Sequence, residues 1–269
     1  MSFLVNPYQF GCGDADAVAF LAAAGITDST ITSAICTLVT TMKADGTWAK
    51  MSAIYPMVGG TATTHKFNLK NPLDTNAAFR LSFVGGWTHS SGGALPNGTN
   101  AYANTFLIPS TIYTTSMGIS YYSRTNSNTG LDQIDLGCVD TSSVIWLSTQ
   151  YNIGATINRF LSRNSSASIL ANTANADARG FYFSSKTSNA ANAFKTFKNG
   201  ALQSSLTGAG NAPIRNIYLG AFNNNNVSIL YYTNRQCAFS TIGTGLTDAE
   251  ALALYNSIQA MQTTLSRQV

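Results

Sequence analysis

The acidic residues are the first candidates for chemistry, because hydrolysis of a glycosidic bond requires two carboxyl groups that flank the bond. The chain of 269 residues has 11 acidic residues, and Glu250 is its single glutamate. Glu250 stands three residues after Thr247, which predicts a capping box at the start of a helix. Asp132, Asp135 and Asp140 form the one acidic cluster. They could bind Ca²⁺ with backbone carbonyls, but turn capping by Asp is the favoured interpretation, and we predict no metal site.

The two histidines, His65 and His89, are the other candidates for catalysis. His89 lies beside Ser90 and Ser91 in a glycine-rich segment, residues 85–93, which we predict to be a loop. No Gly-x-Ser-x-Gly motif surrounds these serines, and no acidic residue nearby in sequence could orient the histidine ring. We therefore expect a structural role for His89, and we predict neither a catalytic residue nor a cofactor.

Carbohydrate binding is harder to exclude, since sugars stack on aromatic rings and hydrogen-bond to neutral polar groups. The candidate ligand-binding residues are Trp87, His89, Asn97, Tyr121 and Tyr122, with the asparagine run at residues 223–226 beside them. The alternative is that Trp87 and the tyrosines pack between sheets or face a neighbouring subunit, because aromatic residues are equally enriched at protein interfaces. This second interpretation is the favoured one.

The charge content argues against two classes of partner. The 15 basic residues are scattered singly against 11 acidic ones, so no basic stripe is available to bind nucleic acid. No apolar run approaches the ~20 residues of a membrane helix, and the first seven residues do not resemble a signal peptide. Charged residues make up only 10% of the chain. This composition suits the exposed faces of antiparallel sheets, and it also suits a protein that packs into a larger assembly, including a homo-oligomer.

The cysteines are spaced too widely for the usual structural zinc patterns. We expect reduced and mostly buried thiols, with a disulfide left open as the alternative. The four residues are Cys12, Cys36, Cys138 and Cys237.

Two short helices are predicted near the N-terminus, within residues 14–46. Asp14 caps the first helix and Gly25 ends it, whereas Thr27 or Asp28 caps the second, which stops at Gly46. Helices this short are marginal alone, so the hairpin must dock on the sheet domain or on another subunit. We assign residues 1–47 to this docking segment.

From Trp48 onward the apolar period changes to that of strands, and residues 48–269 form the second predicted domain. Asn199-Gly200 is the strongest hairpin signal in the chain, because both turn residues must accept positive φ. About a dozen strand candidates follow one another without intervening helices, which predicts a mainly β fold of two packed antiparallel sheets. A C-terminal amphipathic helix closes the fold. Its apolar face comprises Ala251, Leu254, Tyr255, Ile258, Met261 and Leu265.

Three segments carry a family resemblance. Residues 198–200 (Lys-Asn-Gly), 217–221 (Ile-Tyr-Leu-Gly-Ala) and 245–250 (Gly-Leu-Thr-Asp-Ala-Glu) resemble the C-terminal half of the concanavalin A-like or laminin-G-like jelly roll. Residues 59–69 and 96–105 are similar to virion proteins of tailed bacteriophages that carry this domain. The likeness covers residues 48–265 and implies the same β-sandwich. The Glu-x-Asp-x-x-Glu strand of the family's glycanases is missing, which again argues against an enzyme.

The resemblance implies a non-enzymatic structural protein on the surface of a bacteriophage virion, assembled in the cytoplasm of the bacterial host. Its place would be the capsid, as a decoration or head-fibre protein, or the tail. Its expected partners are other virion proteins and, through exposed loops, host surface glycans. The alternative is a lectin-type receptor-binding module of a tail fibre. A weaker third hypothesis is a glycanase that uses Asp132 or Asp135.

Overall fold

The computed structural model describes residues 12–127, 129, 131–153, 156–164 and 166–269, and within these ranges it has five α-helices and seventeen strands. The helices are α1 (Ala15–Ala24), α2 (Ser29–Ala44), α3 (Thr47–Lys50), α4 (Ala62–His65) and α5 (Asp248–Thr264). The strands are β1 (Met51–Tyr55), β2 (Ser82–Val84), β3 (Trp87–Ser90), β4 (Gly93–Pro96), β5 (Tyr102–Asn104), β6 (Met117–Ser123), β7 (Leu136–Val139), β8 (Val144–Ile153), β9 (Thr156–Asn164), β10 (Ala171–Ala174), β11 (Gly180–Lys186), β12 (Phe194–Lys198), β13 (Ala201–Leu206), β14 (Tyr218–Leu219), β15 (Phe222–Asn224), β16 (Ser228–Leu230) and β17 (Cys237–Gly243). None of these helices combines the length and the apolar character that a membrane span requires.

The strands form two packed sheets, which confirms the predicted jelly-roll-like β-sandwich. The first sheet has the order β13-β12-β11-β6-β17-β4-β3, with β1 also paired to β17, and the second has the order β10-β9-β8-β7-β14-β5-β2. In the second sheet, β15 adds a short parallel contact to β7 and an antiparallel one to β16. All other pairings are antiparallel. The apolar side chains between the sheets form a core that includes Tyr121, Leu136, Ile145, Leu219 and Ile242.

The helices cover the outer face of the first sheet. Phe20 of α1, Ile35 of α2 and Leu254 of α5 share one buried cluster with Phe183 and Phe197 of the sheet. The N-terminal hairpin therefore docks on its own sheet and on α5. Residues 1–11, which belong to the predicted docking segment, lie outside the described residues.

The local signals at the helix ends and at the hairpin are confirmed. Thr247 and Glu250 form the predicted capping box, and Asp28 caps α2 by accepting a hydrogen bond from the Ile31 amide. The turn between β12 and β13 consists of Asn199 and Gly200, whose φ angles are 49° and 75°. Positive φ at both positions matches the twist of the two strands, which is why glycine is favoured there.

The glycine-rich segment at residues 85–93 is not the single loop that the sequence predicts, because β3 and β4 pair across residues 91 and 92. Three of the strand candidates in the sequence also include backbone that is outside strands, at residues 65–70, 79–81 and 113–116. Helix α4 ends at His65, and an isolated bridge at Asn68 follows it. Leu69 and Leu81 are nevertheless buried, so irregular backbone covers the apolar side chains of the first two segments.

The cysteines divide into two pairs. Cys12 and Cys36 are joined by a disulfide, which corrects the expectation of four reduced thiols. The bridge ties the segment before α1 to α2 across 24 residues of sequence. Cys138 and Cys237 are free and buried, as expected. Since they lie in the inter-sheet core, they pack there as small apolar residues.

A buried histidine pair joins α4 to β3. The Nδ1 atoms of His65 and His89 lie 2.9 Å apart, so one of these atoms carries the shared proton. The Nε2 atom of His65 is buried and has no partner. An unpaired buried acceptor is less costly than an unpaired N–H, which places the proton on Nδ1 of His65 as the donor. Burial, then the charge of His89 and that of Arg267, lower the pKa of His65 from 6.5 to about 3.

We expect acid to destabilise the fold through His65. Its pKa in the folded protein lies below its ordinary value, so stability is complete above about pH 6.5 and is lost as the pH falls toward 3. At about pH 4.5 the loss from this one group is about 2–3 kcal/mol. Urea unfolding at about pH 7.5 and pH 4.5 measures it.

His65→Asn is the control for this loss, because asparagine keeps a hydrogen-bonding group near Nδ1 and does not titrate. Carboxylates titrate in both proteins, so the difference between the two pH dependences isolates the histidine. Equal pH dependences in the two proteins would contradict the assignment.

Candidate functional site

Trp87 ties the two sheets together rather than facing a ligand. Its indole N–H donates to the carbonyls of Val84 (3.1 Å) and Tyr102 (3.2 Å), which belong to the second sheet, whereas Trp87 begins β3 of the first. A Cβ atom on Gly220 would lie 2.8 Å from the indole ring, and Gly220 has a φ of +87°. Only glycine fits both conditions. The ring is half-buried and packs against the inter-sheet core.

Tyr121 and Tyr122 were candidate ligand-binding residues, with packing between sheets as the favoured alternative, and neither ring reaches solvent. Both are fully buried on β6. Tyr121 lies between the sheets, and its hydroxyl donates to the carbonyl of Arg235 at 2.7 Å. Tyr122 lies under α5, where its hydroxyl donates to Gln259 at 3.1 Å. Adjacent strand residues point to opposite faces, and here both faces of the strand are covered.

His89 and Asn97 also have internal partners. His89 is half-buried beside His65, and its ring meets Phe83 edge-on at a centroid distance of 4.6 Å. Asn97 is exposed, but its Oδ1 accepts from the amides of residues 99, 100 and 101, and its Nδ2 donates to Asn100 at 2.8 Å. The structure does not gather the five predicted residues at one site. Of the five, Asn97 alone borders the groove described next.

Two pockets, lined by residues outside the helical layer, share Tyr232 as a lining residue. We call the two pockets together the tyrosine groove. The first pocket has a volume of about 760 Å³ and the second of about 350 Å³, within the usual range for ligand sites. The first is lined by Asn97, Gly98, Thr99, Thr129, Leu131, Asp132, Gln133, Tyr231, Tyr232 and Asn234. The second is lined by Tyr218, Asn223, Asn226, Val227, Ser228, Ile229 and Tyr232.

Tyr231 presents an aromatic edge to the first pocket. Its backbone has a φ of 56°, a conformation that L residues rarely adopt. This conformation breaks the alternation of side chains after β16, so Tyr231 and Tyr232 both line the same pocket. The Tyr231 ring is 38% exposed and rests against Phe222 and Tyr151, with centroid distances of 6.1 and 6.4 Å.

Asp132 carries the one carboxylate among the described residues that line the groove. It is exposed and interacts with the hydroxyl of Tyr151. Burial first, and the hydrogen bond with Asp132 second, raise the pKa of Tyr151, so this hydroxyl stays neutral and donates to the carboxylate. Tyr151 in turn stacks on Trp146 at a centroid distance of 5.7 Å. The carboxylate is therefore fixed beside a rigid set of aromatic rings.

The second pocket lies over the outer face of the second sheet. Leu219 of β14 points into the inter-sheet core, so its neighbour Tyr218 points outward. Tyr218 stacks on Tyr102 at a centroid distance of 4.8 Å. Burial and then the charge of Tyr102 raise the pKa of Tyr232. Asn223, from the predicted asparagine run, holds the rim by donating to the Asn216 carbonyl.

A buried ion pair holds the segments that form the first pocket. Arg235 lies 3.2 Å from Asp135, and both side chains are buried. The same guanidinium donates to the Ser127 carbonyl, to Gln133 Oε1 and to the Gln150 carbonyl. Asp135 also accepts from the Thr233 hydroxyl at 2.8 Å and the Thr149 amide at 2.6 Å. One network thus connects residues 127–135, 149–150 and 233–235.

The acidic cluster of the sequence separates into three different roles. Asp140 caps a turn, as predicted, through the amides of Ser142 and Ser143. Asp135 is neutralised by Arg235, and Asp132 faces the groove. Within the described part of the chain, no group of three potential metal ligands is brought together.

Another concavity, of about 650 Å³, lies between the loop that joins α1 to α2 and the C-terminus. The described residues that line it include no aromatic ring. Its buried charge is Arg267, whose five N–H groups are used by Gln262 and by the carbonyls of Pro56, Met57, Ser91 and Ala238. Arg267 therefore fixes the C-terminus and has no donor left for a ligand.

Sequence reasoning missed Tyr231, Tyr232 and the role of Asp132. In a continuous strand, two adjacent tyrosines would face opposite sides of the sheet. The signal that could have found them is the sequence Tyr-Tyr-Thr-Asn at residues 231–234, where β-prone residues give way to a turn-forming asparagine.

No protein-family model matches the sequence, and no curated protein matches it either. Among solved structures, domain 4 of AbnA, a GH43 extracellular arabinanase from Geobacillus stearothermophilus, in complex with arabinotriose, is 15% identical. That match has a TM-score of 0.43 and covers 76% of this chain and 98% of the other. The CBM40 of the IT-sialidase from Ruminococcus gnavus is 16% identical, with a TM-score of 0.37 over 53% and 82% of the two chains.

Botulinum neurotoxin type C, whose cell entry depends on interaction with two ganglioside molecules, is 12% identical with a TM-score of 0.48. This match covers 80% of the present chain and 53% of the toxin chain. At these identities and TM-scores, none of these neighbours transfers a function to this chain.

We expect Asp135→Asn to destabilise the protein by about 3 kcal/mol or more, because it leaves the buried guanidinium of Arg235 without a counter-charge. The free energy of unfolding in urea measures the change. Asp16→Asn is the matched control, since Asp16 pairs with Lys43 at the exposed surface of the helical layer, where ion pairs contribute little. Similar losses in the two variants would contradict a central role for the buried pair.

Proposed function

We propose that this protein is a non-catalytic carbohydrate-binding module whose ligand lies in the tyrosine groove. The observation that carries the proposal is that Tyr231 and Tyr232 line one pocket together with amide groups and a carboxylate. A sugar ring has apolar C–H faces and a rim of hydroxyl groups. Aromatic rings suit the faces, and neutral amides with a carboxylate suit the hydroxyls.

The exposed apolar side chains around the groove support a binding role. Leu131 is 69% exposed, Val227 is 81% exposed, and both border the pockets that Tyr232 joins. These are the two most exposed large apolar side chains in the described part of the chain. Apolar groups concentrated at a groove favour a ligand that covers them.

The carboxyl groups support the non-catalytic part of the proposal. Glycoside hydrolysis needs two carboxyl groups within about 5–10 Å of each other on either side of the bond. Asp132 is the one carboxylate among the described residues that line the groove. Its sequence neighbour Asp135 is buried and engaged by Arg235, so it is not available as a partner. This arrangement gives no support to a glycanase that uses Asp132 and Asp135.

A structural protein on the surface of a bacteriophage virion is the second candidate, and the two functions are compatible. The low content of charged residues and the sequence resemblance at residues 59–69 and 96–105 favour it. In this setting the helical layer or the edges of the sandwich would contact other virion proteins, on the capsid or the tail. The groove would then face the medium and contact host surface glycans.

We expect Tyr232→Ala to weaken glycan binding about 30-fold, the effect of losing an aromatic anchor worth about 2 kcal/mol. A glycan array first identifies the best ligand, and isothermal titration calorimetry then compares the variants. Tyr232→Phe should keep most of the affinity, because the ring remains.

Tyr255→Ala is the control for this experiment. Tyr255 is also half-buried, but it lies on α5 and stacks with Phe181 on the far side of the molecule. Equal affinity of wild type and Tyr232→Ala would rule out the groove as the glycan site.

We expect this chain to copurify with salt-washed phage particles if it is a virion protein. Quantitative mass spectrometry gives its copy number relative to the major capsid protein. Copies in the hundreds would place it on the capsid, whereas a few to some tens would place it on the tail. Its absence from the particles would contradict the virion role. The carbohydrate-binding function would then be the one remaining proposal.

A further inference from the structure

We propose that the tyrosine groove selects neutral oligosaccharides and rejects anionic ones, because the carboxylate of Asp132 is the charge it presents to a ligand. This inference rests on the proposed function and adds the chemical class of the ligand. It also names Asp132 as the residue that determines specificity. The argument depends on which charged groups border the groove and which are engaged elsewhere.

The described lining of the groove contains no basic side chain. Tyrosines, amides, hydroxyls and aliphatic groups make up the walls of both pockets, and Asp132 is the exception. Recognition of a carboxylate, sulfate or phosphate on a ligand usually depends on Arg or Lys, whose N–H groups pair with the anion. An anionic sugar placed here would meet a like charge without a compensating cation.

The nearest arginines are engaged outside the groove. Arg235 lies beneath the first pocket with 1% of its side chain exposed, and it pairs with Asp135. Its remaining N–H groups donate to Ser127, Gln133 and Gln150. Arg215 donates to Asn225 Oδ1 at 2.9 Å and to the carbonyl of Ile214.

Among the described residues, Arg163 also acts on Tyr151, where its charge opposes that of Asp132. Arg163 lies on β9 opposite Trp146, and it does not line either pocket.

A neutral sugar can donate hydrogen bonds to the same carboxylate. An ionised carboxylate accepts hydrogen bonds from sugar hydroxyls, and these charge-assisted bonds are stronger than neutral ones. The Tyr151 hydroxyl interacts with the same carboxylate from the side of the aromatic cluster. The two pockets meet at Tyr232. A ligand of at least two sugar units can therefore place one ring on each side of that phenol ring.

The test compares pairs of glycans in which one member carries an additional acidic sugar. Lactose and sialyllactose form one pair, and xylo-oligosaccharides with and without glucuronic acid form another. An array that carries such pairs, followed by calorimetry on the best binder, measures the preference of the full-length protein. We expect neutral members to bind at least about tenfold more tightly than their anionic counterparts, the effect of one unfavourable charge contact.

Three variants locate the cause of the preference. Asp132→Asn keeps the side-chain shape and one acceptor oxygen, so it should weaken neutral binding and abolish discrimination within each pair. Asp132→Lys should reverse the preference. Asp16→Asn, which lies on α1 in the helical layer on the opposite face, should leave binding and discrimination unchanged.

The outcomes separate this inference from the proposed function. Preferential binding of anionic members that is lost in Tyr232→Ala would overturn the charge preference and leave the glycan-binding function intact. Unchanged discrimination in Asp132→Asn would remove Asp132 as its cause and overturn the inference as well. Failure of every glycan to bind would overturn the proposed function and the inference together.

Discussion

The buried pair of Arg235 and Asp135 is the interaction on which the groove depends. Removing two charges from water is costly, and the cost is offset only when the remaining donors and acceptors are also satisfied. Here the guanidinium reaches Ser127, Gln133 and Gln150 as well as the carboxylate, and the carboxylate also accepts from Thr149 and Thr233. The network joins segments that are far apart in sequence, because its partners come from residues 127, 133, 149–150 and 233. It fixes the position from which Tyr231, Tyr232 and Asp132 project.

The layer order of the fold decides where a ligand can bind. Helices α1, α2 and α5 cover the outer face of the first sheet, and the second sheet covers its inner face. Strands β6, β11 and β17 are therefore buried along their whole length. Aromatic rings reach solvent mainly at the second sheet and at the loops beside it. The outer face of the second sheet is not covered by helices. The exposed aromatic side chains that could bind a ligand are therefore grouped at the tyrosine groove.

Local features of this fold were predictable from the sequence, because their causes lie within a few residues. The Asn199-Gly200 turn, the capping box of Thr247 and Glu250 and the caps of α1 and α2 depend on backbone conformation and on short-range hydrogen bonds. The disulfide between Cys12 and Cys36 was not predictable, since it depends on how α1 packs on α2. The β3–β4 hairpin could not be predicted from the sequence for a similar reason. Its glycine-rich sequence is typical of a loop, and its pairing with β17 comes from a strand about 140 residues away.

The candidate site could not be predicted, because the sequence does not reveal how many layers cover each strand. Tyr121 and Tyr122 are adjacent, and in a sheet with one solvent face one of them would be exposed. Here Tyr121 packs in the inter-sheet core and Tyr122 packs in the core beneath α5. Neither ring is therefore accessible to a ligand. Tyr231 and Tyr232 are also adjacent, and alternation would again separate them. The left-handed backbone of Tyr231 brings both to one pocket instead. That conformation is held by contacts from distant strands, namely the bond from the Ile134 amide to the Tyr231 carbonyl and the packing on Phe222. One Tyr-Tyr pair is thus buried and the other lines a pocket. Tertiary contacts, which no local sequence pattern contains, determine this difference.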